Sequence, residues 1–391
     1  MASHRANYDG VAVAVPVTVP YQRFSDRPVH WWIGKALKAL VDQSGLAKEQ
    51  IDGFSLASFT LAPDNPVGVA QHMGMSLRWV DGISLGGASG VVGLRRAARA
   101  VQAGDANVVA CVAADVNQPG SFRDLVTTFS RFAQDGAYPY GGAGPNASFA
   151  LLTDYYMRTY GATAEDFGKL AVSQRTNALS NPNALFRTPL TLQDYVEARP
   201  IADPIKLFDC VMPCSGADAF LVMREEIARD LDIGYTHLRG TIERHNSFEH
   251  DPVQFRGGWQ MDSDELWGMA DLGPDDMDFL QTYDDYPVIS MLQFEDLGFC
   301  AKGEGPDFVR QNEFTIEGSF PHNTSGGQLS VGQAGAAGGT LGMVEALRQL
   351  TDMPAGAPVT EAKAGLVSGF GMINYDRGLC SAAAILSREG S

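Results

Sequence analysis

Positive charge is in short supply in this sequence. Its 391 residues carry 29 Lys and Arg against 46 Asp and Glu, a formal net charge of −17. A field of that sign repels phosphate backbones and anionic lipid surfaces, so neither nucleic-acid nor membrane-surface binding is expected. An anionic ligand would need a local pocket rich in cations or N–H groups. Cysteine is scarce too, at five residues: Cys111, Cys210, Cys214, Cys300 and Cys380. They form no CxxC pair, and Cys210 and Cys214 lack companion histidines at zinc-site spacing. They read as reduced core thiols, with no metal site. No run of 18 apolar residues occurs, and residues 1–10 hold no apolar signal core. The expectation is a soluble, cytoplasmic protein.

What is present is a globular composition, 45% apolar and 19% charged. A chain of this length buries about three quarters of the surface it would expose unfolded, which excludes disorder and disulfide-stapled scaffolds. Residues 10–17 (GVAVAVPV) are a β-branched, apolar run, a strand that Pro16 bends or ends. Ile33, Leu37, Leu40 and Val41 recur at helical spacing and stop at Gly45, predicting a helix over 31–44. Residues 51–59 read as a second strand. Residues 107–116 (NVVACVAADV) are apolar on both faces, as in a strand sandwiched between other layers. Residues 120–200 are richer in aromatics, Gly, Pro and Asn, above all at 136–145, with a helix near 148–160. That stretch reads as a loop or cap insertion over about 117–205. Strand composition returns at 217–222, followed by a short acidic helix at 224–232.

The second half repeats the grammar of the first. Gly86-Gly87-Ala88-Ser89-Gly90 feeds a helix with Val91, Leu94, Ala98 and Val101 on one face, ended by Gly104. Residues 323–339, equally rich in glycine, feed a helix over 341–350; a further helix is expected at 288–297 and strands at 365–368 and 379–386. The repeat predicts two duplicated α/β halves, 1–235 and 236–391, sharing a middle layer of helices. A helix N-terminus carries about +0.5 of an elementary charge and unpaired N–H donors; two aimed at one cavity would stabilise a developing oxyanion. Glycines at the two helix starts also simply permit close packing.

The spaced segments resemble one family. Gly86–Gly90 and the helix running to Gly104 resemble the nucleophile-helix segment of thiolases. Asn323-Thr324-Ser325-Gly326-Gly327 with Gly332-Gln333-Ala334-Gly335 resembles their Asn-x-x-Gly-Gly…Gly-His-Pro loop. Tyr283-Asp284-Asp285-Tyr286 and the helix behind it resemble the sterol-carrier-protein branch. So do Asp209-Cys210 and Ser215-Gly216-Ala217, while Ser368-Gly369-Phe370-Gly371 stands where the last catalytic loop lies. The resemblance spans essentially the whole chain in order. It implies a thiolase fold, two duplicated α/β halves in a five-layer αβαβα arrangement with a loop insertion.

The departures from that pattern carry the functional expectation. Gly87 stands where a thiolase has its nucleophilic cysteine, Gln333 where it has a histidine, and Val367-Ser368 near where it has its last acid–base residue. Neither Gly87 nor Gln333 can form a thioester or move a proton, so thiolytic Claisen chemistry by the usual route is excluded. Retro-aldol cleavage of a β-hydroxyacyl-CoA needs an enolate site but no acyl-enzyme, and relatives lacking the thiolase residues, the steroid side-chain retro-aldolases, are of this kind. The resemblance implies a lyase on an acyl-CoA, with coenzyme A thioester as substrate, no tightly bound cofactor, and an OB-fold/zinc-ribbon partner protein. An acyl or thioester transferase without a cysteine nucleophile, and a non-catalytic acyl-CoA-binding subunit, are the alternatives. A titratable group facing the cavity would favour an enzyme.

Under that resemblance Tyr283 and His322 are the expected proton-transfer groups, with Asp285 a further candidate. Gln333 and Asn323 would position a carbonyl or a water, and backbone N–H groups of Gly86, Gly87 and Gly369 would hold the oxyanion. Using tyrosine as a base at pH 7 costs about 4 kcal/mol unless neighbours help. The aldolases' second tyrosine would fall at Gln333. Tyr286 is a candidate for substrate binding, and Lys302 and Arg256 for phosphate binding, although solvated surface charge explains both basic residues as well. Glu295-Asp296 reads as an exposed helix face and Asp376 as a turn residue. The strand at 107–116 is expected at a sheet edge, pairing into a homodimer that buries about 2,000 Å² or more.

Overall fold

The computed structural model describes residues 7–121, 144–374 and 377–390. Asp376 and the middle of the expected insertion lie outside the described residues. Eleven strands are described. Those of the first half are β1 (Val11–Gln22), β2 (Gly53–Ala57), β3 (Trp79–Ile83), β4 (Val108–Asp115) and β7 (Ser215–Arg224). Those of the second are β8 (Tyr235–His245), β9 (Phe279–Gln281), β10 (Ala364–Asn374) and β11 (Arg377–Arg388), while β5 (Pro200–Ala202) and β6 (Ile205–Lys206) form a small separate hairpin. The strand order is β3-β2-β4-β7-β1-β8-β11-β10-β9, the two halves meeting where Ala12, Val13 and Ala14 pair with His237, Thr236 and Tyr235.

Strand alternation builds the layers. Ala12 and Ala14 of β1, Val108 and Ala110 of β4 and Leu221 of β7 pack outward against Trp32, Ile33 and Leu40 of α1 (Val29–Ser44). Val11, Val13, Val109, Cys111 and Phe220, on the other face, meet Val91 and Leu94 of α2 (Ser89–Ala103) and Leu347 of the final helix, Gly338–Leu350. Ala382 and Ala384 of β11 close that middle core from the second half, whereas Ala383 and Ile385 face a third core around Trp259, Ile289 and Phe294. This is the period-2 alternation of strands buried on both faces, and it produces the five-layer αβαβα arrangement expected.

The two glycine-rich helix starts converge, and glycine is required where they do. A Cβ added at Gly339 would lie 2.7 Å from the carbonyl oxygen of Gly86 and 2.8 Å from Cα of Gly87. Pro16 sits at a register break between Ala14 and Val17, and the strand continues beyond it to Gln22. Two expectations are corrected. Strand β4 is no edge: it pairs with β2 on one side and β7 on the other, and the open edges are β3 and β9. Glu295 and Asp296 are not exposed; both are buried, at 5% and 2% exposure, because every residue of their helix is covered.

Candidate active site

Strand β9 ends at Gln281, and the next five residues are all buried, each side chain serving a different contact. Thr282 Oγ1 meets Ser290 Oγ at 2.8 Å and His322 Nε2 at 2.7 Å. Asp284 accepts from the backbone N–H of Gln328 at 3.0 Å and of Leu329 at 3.3 Å, anchoring the glycine-rich loop. The Tyr283 backbone is clasped by Gln293, whose Nε2 donates to the Tyr283 carbonyl at 2.8 Å and whose Oε1 accepts from its N–H at 3.2 Å. Ser368 Oγ donates to that Oε1 at 2.5 Å, so β10 fixes the clasp.

With its backbone held, the Tyr283 ring fills the space in front of Gly87. A Cβ added at Gly87 would overlap the ring and the carbonyl oxygen of Phe370. The place where a nucleophilic side chain would stand is therefore occupied by a phenol. Beside it opens a cavity of about 250 Å³. Its walls include Gly86, Gly87, Tyr283, Asp285, Tyr286 and Gln333, with Phe59, Ile201, Val211 and Met372 supplying an apolar lining.

Three side chains form a hydrogen-bonded set on that wall. Gln333 Nε2 donates to the Tyr283 hydroxyl at 3.2 Å and to Asp285 Oδ1. Both groups are bound by that one amide, and each acts on the other's protonation. Burial pushes the Asp285 carboxyl up to about 7, helped by the charge of Asp284 and opposed by the hydrogen bonds from Tyr283 and Gln333. Burial and the neighbouring Asp285 charge push the Tyr283 phenol well above its ordinary value. The pair thus consists of a phenol that keeps its proton and a carboxylate poised near neutrality, the arrangement a general base requires.

The structure brings together Tyr283, Asp285, Tyr286, Gln333, Gly86 and Gly87, and leaves the other candidates elsewhere. His322 is fully buried beside Phe294 and Phe314, and burial pushes its imidazole down to about 3. It does not reach the cavity. Asn323 Oδ1 accepts from the Thr282 N–H at 2.9 Å, behind Tyr283 rather than on the cavity wall. Gly369 packs against the Gly87 carbonyl from within β10, and Gly371 takes the cavity wall. Lys302 Nζ binds Glu295 at 2.9 Å and Asp296 at 2.5 Å, and Arg256 is paired with Asp251 at 2.6 Å and lies over the Phe248 ring. Neither cation is free for a phosphate. Sequence reasoning missed Asn146, Gln293 and Met372; the Pro145 helix start was the available signal for the first. None of the cysteines offers a thiolate: burial raises all five, Cys210, Cys300 and Cys380 to about 12.

Layering and a filled nucleophile position define a thiolase-fold protein without the thiolase nucleophile. Residues 240–388 match the family "Thiolase C-terminal domain-like". The steroid side-chain-cleaving aldolase of Thermomonospora curvata is 32% identical over 331 residues, 80% of this chain and 83% of the relative. The 17-hydroxy-3-oxo-4-pregnene-20-carboxyl-CoA lyase of Mycobacterium tuberculosis is 32% identical over 333 residues, 80% and 84% of the two chains. A solved Ltp2-ChsH2(DUF35) aldolase superposes with a TM-score of 0.83 at 28% identity, covering 98% of each chain. The chain belongs to the thiolase superfamily, in the branch of these side-chain-cleaving aldolases.

Proposed function

We propose that the chain is a lyase that cleaves a β-hydroxyacyl-CoA by a retro-aldol reaction, with the thioester of a steroid side chain as substrate class. The observation that carries this reading is the Tyr283–Asp285–Gln333 set facing a cavity whose nucleophile position is filled. The substrate's β-hydroxyl proton passes to the Tyr283 oxygen as Tyr283 gives its own proton to Asp285. The Cα–Cβ bond breaks, its electron pair forming a thioester enolate while the former carbinol carbon becomes a carbonyl. Returning the proton to Cα releases the shorter acyl-CoA and restores the carboxylate. Gln333 keeps the phenol and the carboxylate in register. The apolar lining suits a ring system, and a titratable group in the cavity favours an enzyme over a binding subunit.

The chain works in a hetero-complex with an OB-fold/zinc-ribbon protein; the likeness to the solved Ltp2-ChsH2(DUF35) aldolase supports such a partner. A homodimer would pair through β3, an open edge that presents Val80, rather than through β4. Among the described residues no helix is long and apolar enough to cross a membrane. The test is mass spectrometry of products from a panel of β-hydroxyacyl-CoA thioesters, with and without the partner. A carbonyl product together with a shortened acyl-CoA is expected. Acyl transfer without carbon–carbon cleavage would instead select the transferase reading.

A further inference from the structure

Cleavage concentrates negative charge on the thioester oxygen, and that charge needs a donor whose hydrogens are not already spent. The side-chain donors on the cavity wall can be counted. Gln333 spends its amide hydrogens on Tyr283 and Asp285. The Tyr283 hydroxyl, held by Gln333, has the Asp285 carboxyl beside it as the acceptor for its proton. Tyr286 donates to Asn146 Oδ1 at 2.5 Å. The Cys210 thiol lies 3.8 Å from the same Oδ1 and 3.6 Å from the Lys206 carbonyl, both acceptors. No lysine, arginine, histidine or tryptophan is on the described wall.

Asn146 remains. It opens α3 (Pro145–Tyr160) and lines the cavity. Its Oδ1 is held by Tyr286, whose ring is stacked on Phe149 one turn further along the same helix at a centroid distance of 4.5 Å. An amide whose oxygen accepts from a phenol has its orientation settled, and its NH₂ group carries two donors. Among the described cavity residues, it is the side-chain amide whose N–H groups have no partner among the described residues.

We infer that Asn146 is a substrate-binding residue of the cleavage reaction, its Nδ2 hydrogens donating to the thioester oxygen as enolate charge develops. Tyr286 and Phe149 act as positioning residues that aim it. This inference rests on the retro-aldol reading but is open to a separate measurement. Enolate formation alone exchanges the Cα hydrogens of a simple thioester, so propionyl-CoA in D₂O reports on oxyanion stabilisation without any carbon–carbon cleavage.

The experiment compares the wild-type protein, complexed with its partner, with Asn146→Asp and Asn146→Ser. Asn146→Asp keeps an oxygen for Tyr286 but replaces the NH₂ donors with an acceptor. Its exchange rate and its kcat for cleavage should both fall by about 10²–10³-fold, the loss typical of one oxyanion donor, with KM changed little. Asn146→Ser should retain part of both rates. Wild-type exchange in Asn146→Asp overturns the inference and leaves the aldolase reading intact. Wild-type exchange without cleavage of any β-hydroxyacyl-CoA, lost in Asn146→Asp, upholds the donor and sinks the aldolase reading.

Discussion

The Tyr283 ring occupies the volume that any side chain on Gly87 would need. The two residues exclude one another, so the missing nucleophile and the arriving phenol are one structural event. Restoring cysteine at position 87 should not restore thiolase chemistry. Gly87→Cys and Gly87→Ala should both push the ring out of line, costing about 1–3 kcal/mol or more by overpacking. Both should lower Tm and activity together, and Gly87→Cys should take up no acyl group from acetyl-CoA by intact mass. The wild-type mass should be unchanged too, since burial holds every thiol protonated near neutrality. A stoichiometric acyl adduct on the wild-type chain would count against the whole mechanism.

Tyr283→Phe keeps the ring in front of Gly87 and removes only the hydroxyl that the proposed mechanism uses to carry the proton. Turnover should fall by about 10²-fold or more, with Tm and substrate KM nearly intact. A wild-type kcat in this variant would move the chemistry to other residues.

The raised Asp285 carboxyl makes two opposite pH predictions. In the proposed role of base it works ionised, so kcat/KM should fall with unit slope below about pH 7. For stability the sign reverses. A carboxyl whose folded value lies above its unfolded value of about 4 contributes fully at low pH, and the contribution is lost as pH rises toward 7. At about 1.4 kcal/mol per pH unit the cost at pH 8 is on the order of 4 kcal/mol. Asp285→Asn should therefore be inactive yet melt higher than the wild type at pH 8, with the difference shrinking by pH 4. Equal melting curves at both pH values would contradict the buried-carboxyl account.

Gln333→Glu places a second carboxylate against Asp285. Two charges about 4 Å apart at an effective dielectric near 20 repel by about 4 kcal/mol. The pair should then hold a proton at pH 7, and the acid limb of the activity profile should move up by at least one unit. A neutral Gln333→Asn should lose rate without moving that limb. An unmoved limb in Gln333→Glu would mean that residue 333 does not touch the base.

Much of this site was legible because its features are local. The glycines at 86–87 and the Tyr283–Tyr286 cluster announce themselves by residue type, and alternation in the strands fixed the layers. What escaped depends on contacts distant in sequence. His322 adjoins Asn323, yet its backbone pairs with Leu280 in a bridge that turns the imidazole into an aromatic core. Strand β8 carries His237, Arg239 and Glu243, which hid its alternation. Glu295 and Asp296 looked solvated because nothing in their own helix reveals that Lys302 folds back over them. Asn146 became visible only when the donors around the cavity could be counted.

Lys302 separates a structural role from a ligand-binding one. Its Nζ is shared by Glu295, Asp296 and the Phe255 carbonyl, the last at 3.0 Å, and both carboxylate side chains are fully covered. Glu295 also accepts from the Tyr156 hydroxyl and the Gly305 N–H, and Asp296 from the Gly257 N–H at 2.6 Å. The cluster therefore joins three loops and helices around one cation. Lys302→Ala strands two buried carboxyl groups, a loss of the order of 3–5 kcal/mol for breaking a buried pair. Burial already raises Asp296 to about 6 against the pull of Lys302, so without the lysine it should rise further. A raised carboxyl destabilises more as pH increases, so the Tm deficit of Lys302→Ala should be largest above pH 7 and smaller at pH 5. KM for an acyl-CoA, measured at a temperature where the variant is folded, should stay within about twofold of the wild type, as should that of Arg256→Ala. A tenfold or larger rise in KM with little change in Tm would return both cations to the phosphate-binding role expected from sequence.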